Sequence, residues 1–438
     1  MKGHLRVPAI AMGLILLLAA CNGGSGSSAP AGGSAPAGSG EDWQGIDDGT
    51  ELTMWTRAAT EARAQALVDA YNESHENQIE LRIVPTDDYQ TVVGAAAPNN
   101  ELPDLFSADV VFMPNWTSQG LFADLTARVD SLPYIDDVGQ AHIVASTWEG
   151  AKYGLPFIID LSVWMYNKAL FEEAGLDPEA PPTTLAEFAD AARAIQDLDQ
   201  EGVYGTFFGG NCGGCNVFTW WPISWAEGDP IMNEEGTEAL LNSDTMKEVY
   251  STFRDLWDEG VIHPDSMAEA GPTWTGYFPQ GTIGIMPMPA SLQGMANDAL
   301  ADEDIGVTSI KGIAGGESTF VGGDSIGISK DSENVDQAWN FLAWMLDEEA
   351  QVEVVAQGGN VVARSDLADN EYSSADPRLV LFNEIAAVGE TPFALRFGQT
   401  YNDPQGPWIP LFRAAVFEGA DDATIDELNQ AITDSLAE

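Results

Sequence analysis

Basic residues are scarce in this 438-residue chain: 17 Lys and Arg stand against 69 Asp and Glu, a formal net charge of −52. A surface that negative repels phosphates, which excludes nucleic-acid binding. The acids are scattered among apolar positions, as in DDYQ, DLTARVD, WDEG and LDEEAQ. They read as a solvated surface suited to high salt or to solubility, rather than as one tail or a cation pocket, and a salt-adapted source is expected. Histidine is almost as scarce, with only His4, His75, His142 and His263. Gly323-Asp324-Ser325-Ile326-Gly327 has the G-x-S-x-G form of a nucleophile elbow, but a hydrolase of that type needs a His after the Ser, and none follows. Asp197, Asp199 and Glu201 begin like a calcium loop, yet the twelfth position is Phe208 instead of Glu, so the stretch reads as a helix-end turn. No G-x-x-x-x-G-K-[ST] phosphate loop occurs. Cysteine is limited to Cys21, Cys212 and Cys215, and no nearby His or Cys pair completes a zinc site around NCGGCN. No metal and no cofactor are expected.

The first residues are informative. Lys2, His4 and Arg6 precede an apolar stretch from Val7 to Ala20, the layout of an export signal and too short to span a bilayer comfortably. Leu18-Ala19-Ala20-Cys21 resembles a bacterial lipobox, which marks residues 1–20 as a signal peptide and Cys21 as the lipidated new N-terminus. Residues 21–50 then form a tether: Asn22–Gly40 holds only Gly, Ser, Ala, Pro and one Asn, buries nothing, and reaches roughly 25 Å as a random coil. No later segment is long and apolar enough to cross a membrane. With Cys21 assigned, Cys212 and Cys215 remain as a pair in an exported chain, where they read as a small loop-closing disulfide rather than a redox centre.

The remaining body alternates strands and amphipathic helices. Leu52–Trp55 reads as a strand, Ala64, Leu67, Val68 and Tyr71 share one helix face, and Ile79, Leu81 and Ile83 alternate as a second strand. Asp104–Ser107 reads as a third. Thr184-Leu185-Ala186-Glu187 is a capping box opening a helix with Leu185, Phe188, Ala192 and Ile195 on one side. Val335, Ala338, Trp339, Leu342 and Met345 mark another helix. The alternation predicts an α/β fold with largely parallel sheets, and ligands in such sheets bind beyond the carboxyl ends of strands.

The order of LTMWTRAATEARAQALVDAYN, LPDLFSADVVFMPNWTSQGLFADLT, KYGLPFIIDLSVWMYNKALFEEAG, FPQGTIGIMPMP and VGGDSIGISKDSENVDQAWNFLAWML resembles the family 1 extracellular solute-binding proteins, the maltose- and trehalose-binding relatives. The resemblance implies a two-lobed periplasmic-binding-protein type II fold with a ligand cleft between the lobes. Lobe 1 is expected at 51–158 plus 327–376, and lobe 2 at 159–326 plus 377–438. It also implies a monomeric carbohydrate receptor held at the extracytoplasmic face of the membrane by its lipid, delivering sugar to an ABC permease whose ATP hydrolysis belongs to a separate subunit.

Sugar recognition uses aromatic faces against the ring and planar polar groups against the hydroxyls. Arg57 and Glu61 follow the first strand, Asp109 the third, Asp160 lies at the first crossing in LPFIID, and Gly323 and Asp324 at the second. In the resembling family, positions matching Glu61, Asp109, Asp160 and the Gly-Gly pair contact sugar, and an aromatic or Arg stands near Arg396 and Trp408. Trp220, Trp221, Trp274 and Trp408 can all be core packing, the usual place of Trp. Trp408 and one of Trp220 or Trp221 are expected as stacking platforms because their segments are rich in Pro, Gly and Asn and read as loops. Around Met286–Ser291 this chain lacks the Trp that many sugar binders carry, which shifts the stacking role toward the CGGC loop. The rival functions are a receptor for a cationic solute, a two-carboxylate glycoside hydrolase, and a surface adhesin without a closing cleft. The hydrolase finds no pair of acids singled out by opposed environments, so no enzyme is expected.

Overall fold

The computed structural model describes residues 42–438; the leader, Cys21 and the tether through Glu41 lie outside them. Strand β1 (Glu51–Arg57) buries every second residue, Leu52, Met54 and Thr56, the period that pleating imposes. β2 (Gln78–Val84) and β3 (Leu105–Asp109) flank it, both parallel to it. Between β1 and β2 runs the helix Glu61–Ser74, with Ala64, Leu67, Val68 and Tyr71 buried on the expected face. β4 (Thr147–Trp148) and β5 (Ala151–Lys152) form a separate small hairpin.

β6 (Leu155–Asn167) joins two bodies. β7 (Ile285–Pro289), β8 (Ile305–Lys311) and β9 (Glu317–Ser318) belong to the second body, and β10 (Val321–Ile328) returns the chain to the first. The first half of β6, Leu155–Leu161, pairs with β10. From Ser162 onward β6 pairs with β7 and β8. Among the described residues the order is β2-β1-β3-β10-β6-β8-β9, with β7 also on β6, eight strands in all. Only β2-β1-β3 is parallel; every pairing of β10 and β6 is antiparallel. That corrects the expectation of largely parallel sheets. The chain leaves one body on β6 and re-enters it on β10, so the two crossing strands run in opposite directions.

Two large cores pack against β6, which contributes side chains to both. One gathers Met54, Leu105, Trp339 and Leu342, the other Trp164, Phe188, Phe253 and Phe412. The result is a two-lobed α/β architecture joined by β6 and β10. Local signals mostly hold, with one change: Thr184 Oγ1 accepts from Glu187 N at 3.1 Å, but the Glu187 carboxylate reaches back to Thr183 N and Oγ1, at 2.7 and 2.6 Å, rather than to Thr184.

The tryptophans depart further from expectation. Trp220 and Trp221 lie in the helix Gly213–Trp225 and Trp408 opens the helix Trp408–Arg413, all three with 0% exposure. Trp220 stacks on Phe253 with ring centroids 4.0 Å apart, and Trp221 meets Tyr401 edge-on at 4.8 Å. No ring face remains for a ligand, so their assignment as stacking platforms is corrected to core packing. The glycines that suggested a loop serve close approach instead: a Cβ on Gly213 would stand 1.9 Å from the Tyr401 carbonyl oxygen, which only glycine permits.

Candidate functional site

Several predicted residues converge where the crossing strands pass between the cores. Arg57 ends β1, Asp109 ends β3, Asp160 lies in β6 and Gly323 in β10, and all four line one cavity of about 260 Å³. The opposite walls come from the helix Gly213–Trp225, through Gly214, Cys215 and Phe218, and from Trp274 and Asn402. Gly323 is required by its backbone: φ is +95°, and a Cβ would stand 1.9 Å from the Ile158 carbonyl oxygen. The β-ladder is irregular at the next residue, between Asp324 and Ser325.

Charge is arranged in a fixed relay. Arg57 Nη1 pairs with Asp109 Oδ2 at 3.1 Å, while its Nε donates to Asp324 Oδ1 at 2.8 Å. Ser107 Oγ donates to the other Asp324 oxygen at 2.8 Å. Burial acts to lower the Arg57 pKa, but Asp324 and Asp109 overcome it and hold the guanidinium above its ordinary value. Burial pushes the Asp109 carboxyl above the ordinary carboxylate range, Arg57 opposes this, and Asp324 adds to it. A quarter of the Asp109 side chain stays open to the cavity. Its Oδ1 receives only the Val111 N–H, at 3.3 Å, and so keeps capacity for another donor.

Asp160 is more fully engaged. Its Oδ1 accepts from Leu161 N at 3.0 Å and Ser291 N at 3.1 Å, and its Oδ2 accepts from Ser291 Oγ at 2.7 Å. Arg63 approaches Oδ2 at 3.9 Å. Ser291 stands where the expected aromatic is missing, and uses the carboxylate instead. Asn402 Oδ1 is buried with no partner among the described residues, at the junction of this cavity with a second of about 590 Å³ that also touches Arg57 and Asp109. A buried acceptor without a donor is uncommon and marks a place where a ligand group or water can bind.

Other predicted residues stand elsewhere. Asp324 has no exposure, and its carboxylate is used by Arg57 and Ser107, so it supports the site from behind rather than lining it. Glu61 is the exposed first residue of its helix and does not border the cavity; Arg63, one half-turn on, does. Arg396 is turned to the C-terminal helix, donating to the Ser435 carbonyl at 2.8 Å and to Glu438 at 3.0 Å. The half-buried aromatics at the cavity are Trp274 and Phe218. Trp274 carried a sequence signal in its Gly- and Pro-rich surroundings, whereas nothing set Phe218 apart from its helix neighbours. Cys212 and Cys215 are joined in a disulfide, Cα atoms 5.3 Å apart, with Cys215 on the cavity wall.

A larger cavity of about 510 Å³ lies across Arg63, between the helix Glu61–Ser74 and residues 351–363. Ala62, Ala66, Leu67, Val354 and Val355 give it an aliphatic wall; its polar lining is Arg63, Ser291, Gln351 and Asn360, without a carboxylate. Among the described residues no group of His, Cys, Asp or Glu is placed to hold a metal ion, and no helix is long and apolar enough to cross a membrane.

A cavity between two α/β lobes, walled by strand ends and crossing strands, defines the class: a two-lobed solute-binding receptor. The chain belongs to the bacterial extracellular solute-binding protein family, which it matches over residues 66–380. A putative binding protein of Brucella abortus is 25% identical over 241 residues, 55% of this chain and 57% of that protein; the chain therefore spans little more than half the length of that relative. The diacetylchitobiose-binding protein of Streptomyces coelicolor is 22% identical over 424 residues, covering 93% of this chain and 92% of its own. The crystal structure of the cyclic alpha-maltosyl-1,6-maltose binding protein from Arthrobacter globiformis superposes with a TM-score of 0.74 at 26% identity, covering 89% of this chain and all of that one. The family and these similar proteins are described as binding proteins.

Proposed function

We propose that the protein is a lipid-anchored, extracytoplasmic receptor that captures a carbohydrate between its lobes and delivers it, as a monomer, to the permease of an ABC importer. The observation that carries the proposal is one cavity holding an acceptor carboxylate, Asp109, fixed by Arg57, together with the aromatic rings of Trp274 and Phe218. Sugars present that pair of surfaces, hydroxyl donors at the edge and C–H groups on the face. The sugar-binding relatives named above support the ligand class. Lobe boundaries at the crossings, 51–158 plus 327–376 and 159–326 plus 377–438, let β6 and β10 act as the hinge. The acidic surface suits a salt-adapted source.

The test is calorimetry of the body from Glu41 onward against N,N′-diacetylchitobiose, maltose, cyclic maltosyl-maltose and monosaccharides, with putrescine for the cationic rival. Saturable binding of a sugar and none of putrescine is expected; the reverse overturns the reading. For the anchor, Cys21→Ala is expected to move the protein out of the detergent phase, and unchanged partitioning refutes lipidation.

A further inference from the structure

We propose that Cys212–Cys215 is a thiol–disulfide exchange site for an external dithiol, and that its redox state holds or releases the two aromatic walls of the cavity. The pair sits at the start of the 13-residue helix Gly213–Trp225, with Cys212 as its N-cap. Cys215 N–H donates to Cys212 Sγ at 3.1 Å. A thiolate on Cys212 would therefore meet an oriented donor and the positive end of the helix, the setting that lowers a cysteine pKa and makes it a good leaving group. Cys212 is half-buried and Cys215 faces the cavity, so a small reductant has access.

The balance of the step is ordinary exchange. A thiolate of the dithiol attacks the cavity-facing Cys215 Sγ, the protein S–S bond breaks, and Cys212 leaves as the thiolate that the Cys215 N–H and the helix end stabilise. The second thiol of the reductant, its proton lost to solvent, then attacks its own sulfur in the mixed disulfide and releases Cys215 as a thiolate that takes a proton from solvent. The dithiol ends as a disulfide, and two electrons have passed to the cysteine pair.

The disulfide braces both aromatic walls. Phe218 lies three residues after Cys215, on the same side of the helix, and both line the cavity. Trp274 follows a loop packed on the sulfurs. Gly271, at φ +118°, comes so close that a Cβ would stand 3.1 Å from Cys212 Sγ. The same loop is tied by Asn211 N to the Glu269 carbonyl at 2.9 Å, and its Gly271 N donates to the Glu269 carboxylate at 2.8 Å. Breaking the S–S bond removes the covalent closure of the helix's first turn, the surface on which the Gly271 loop packs. If the cavity is the sugar site, as proposed above, ligand shields the disulfide from reduction and reduction weakens ligand by the same factor.

The exchange site can be tested without any sugar. The folded body is titrated with dithiothreitol at pH 7, trapped with iodoacetamide and mapped by peptide mass. Reduction without denaturant is expected, with Cys212 alkylated on the order of tenfold faster than Cys215. Amide hydrogen exchange should accelerate at 213–218 and 269–274 and stay unchanged in β6. Cys215→Ser, which leaves Cys212 free, should show an alkylation pH profile with its midpoint below the ordinary thiol value of about 8.5. A disulfide reducible only in denaturant, a Cys212 midpoint at or above that value, or unaltered exchange in both segments after reduction overturns the proposal. Positive results here alongside no sugar binding in calorimetry would sink the carbohydrate reading and leave the exchange site standing.

Discussion

Arg57 and Asp324 are separated by 267 residues in the chain and meet in a buried ion pair, Arg57 Nε 2.8 Å from Asp324 Oδ1 and Nη2 2.5 Å from the same oxygen. The pair ties the end of β1 to the second crossing strand, and through Arg57 Nη1 it also holds Asp109 in the cavity. Removing the cation strands a carboxylate with no exposure. Arg57→Met is therefore expected to cost about 3–5 kcal/mol of stability in urea unfolding. Arg57→Met with Asp324→Leu should recover a large part of that loss, since the uncompensated charge is gone; an equal loss in single and double variants would contradict the account.

Affinity should depend on Asp109 and Asp160 as acceptors. Once a sugar is identified, Asp109→Asn and Asp160→Asn are each expected to lower affinity roughly tenfold to a hundredfold, the worth of ~1.5–3 kcal/mol for a charged acceptor. Asp130→Asn is the control, at a side chain 54% exposed and paired with Lys152 away from the cavity. Wild-type affinity in both cavity variants, with circular dichroism unchanged, would mean the site lies elsewhere.

The aromatics should separate into two behaviours. Trp274→Ala and Phe218→Ala are expected to weaken sugar binding with little change in unfolding midpoint, because both rings are half-buried at the cavity. Trp408→Ala should instead cost about 3–5 kcal/mol of stability, as for other large core deletions. Titration and thermal unfolding of the three variants together distinguish a ligand platform from core packing.

Acid should act through two groups of opposite sign. His142 is fully buried; its Nε2–H donates to the Gly322 carbonyl at 3.0 Å and Nδ1 accepts from Ser325 Oγ at 3.1 Å. Burial holds its pKa down to about 4. An unfolded histidine takes its proton near ~6.5, so between there and 4 the unfolded state binds the extra proton and stability falls as pH falls, by about 3 kcal/mol in total. His142→Gln should flatten that window in urea unfolding measured from pH 7.5 to 4.

For Asp109 the raised pKa works the other way on stability, because the folded state takes up a proton before the unfolded state does as pH falls. Its acceptor function is lost at the same step. Sugar affinity is therefore expected to fall on acidification at a pH above the ordinary Asp titration near ~3.9. Asp109→Asn should abolish that component of the pH profile; an unchanged profile in the variant would assign the titration to another group.

Sequence alone was sufficient for the elements whose cause is local. The alternation in β1, the apolar face of Glu61–Ser74 and the Thr184 cap follow from side-chain period and short-range hydrogen bonds, and each appears in the fold. Strand ends were also legible, which singles out Arg57 and Asp109; Asp160 and Gly323 rest on the resemblance, which puts them at the crossings, and all four line the cavity. What the tertiary structure decided was partnership. Asp324 and Asp109 are both acids at strand positions, yet one is consumed by Arg57 and Ser107 while the other keeps an open oxygen. Trp408 and Trp274 both sit in Gly- and Pro-rich segments, yet one is sealed by Tyr401 and Phe412 and the other borders the cavity. A side chain's exposure and hydrogen-bond vacancies depend on residues hundreds of positions away, and that information enters only when the crossing strands bring the two lobes together.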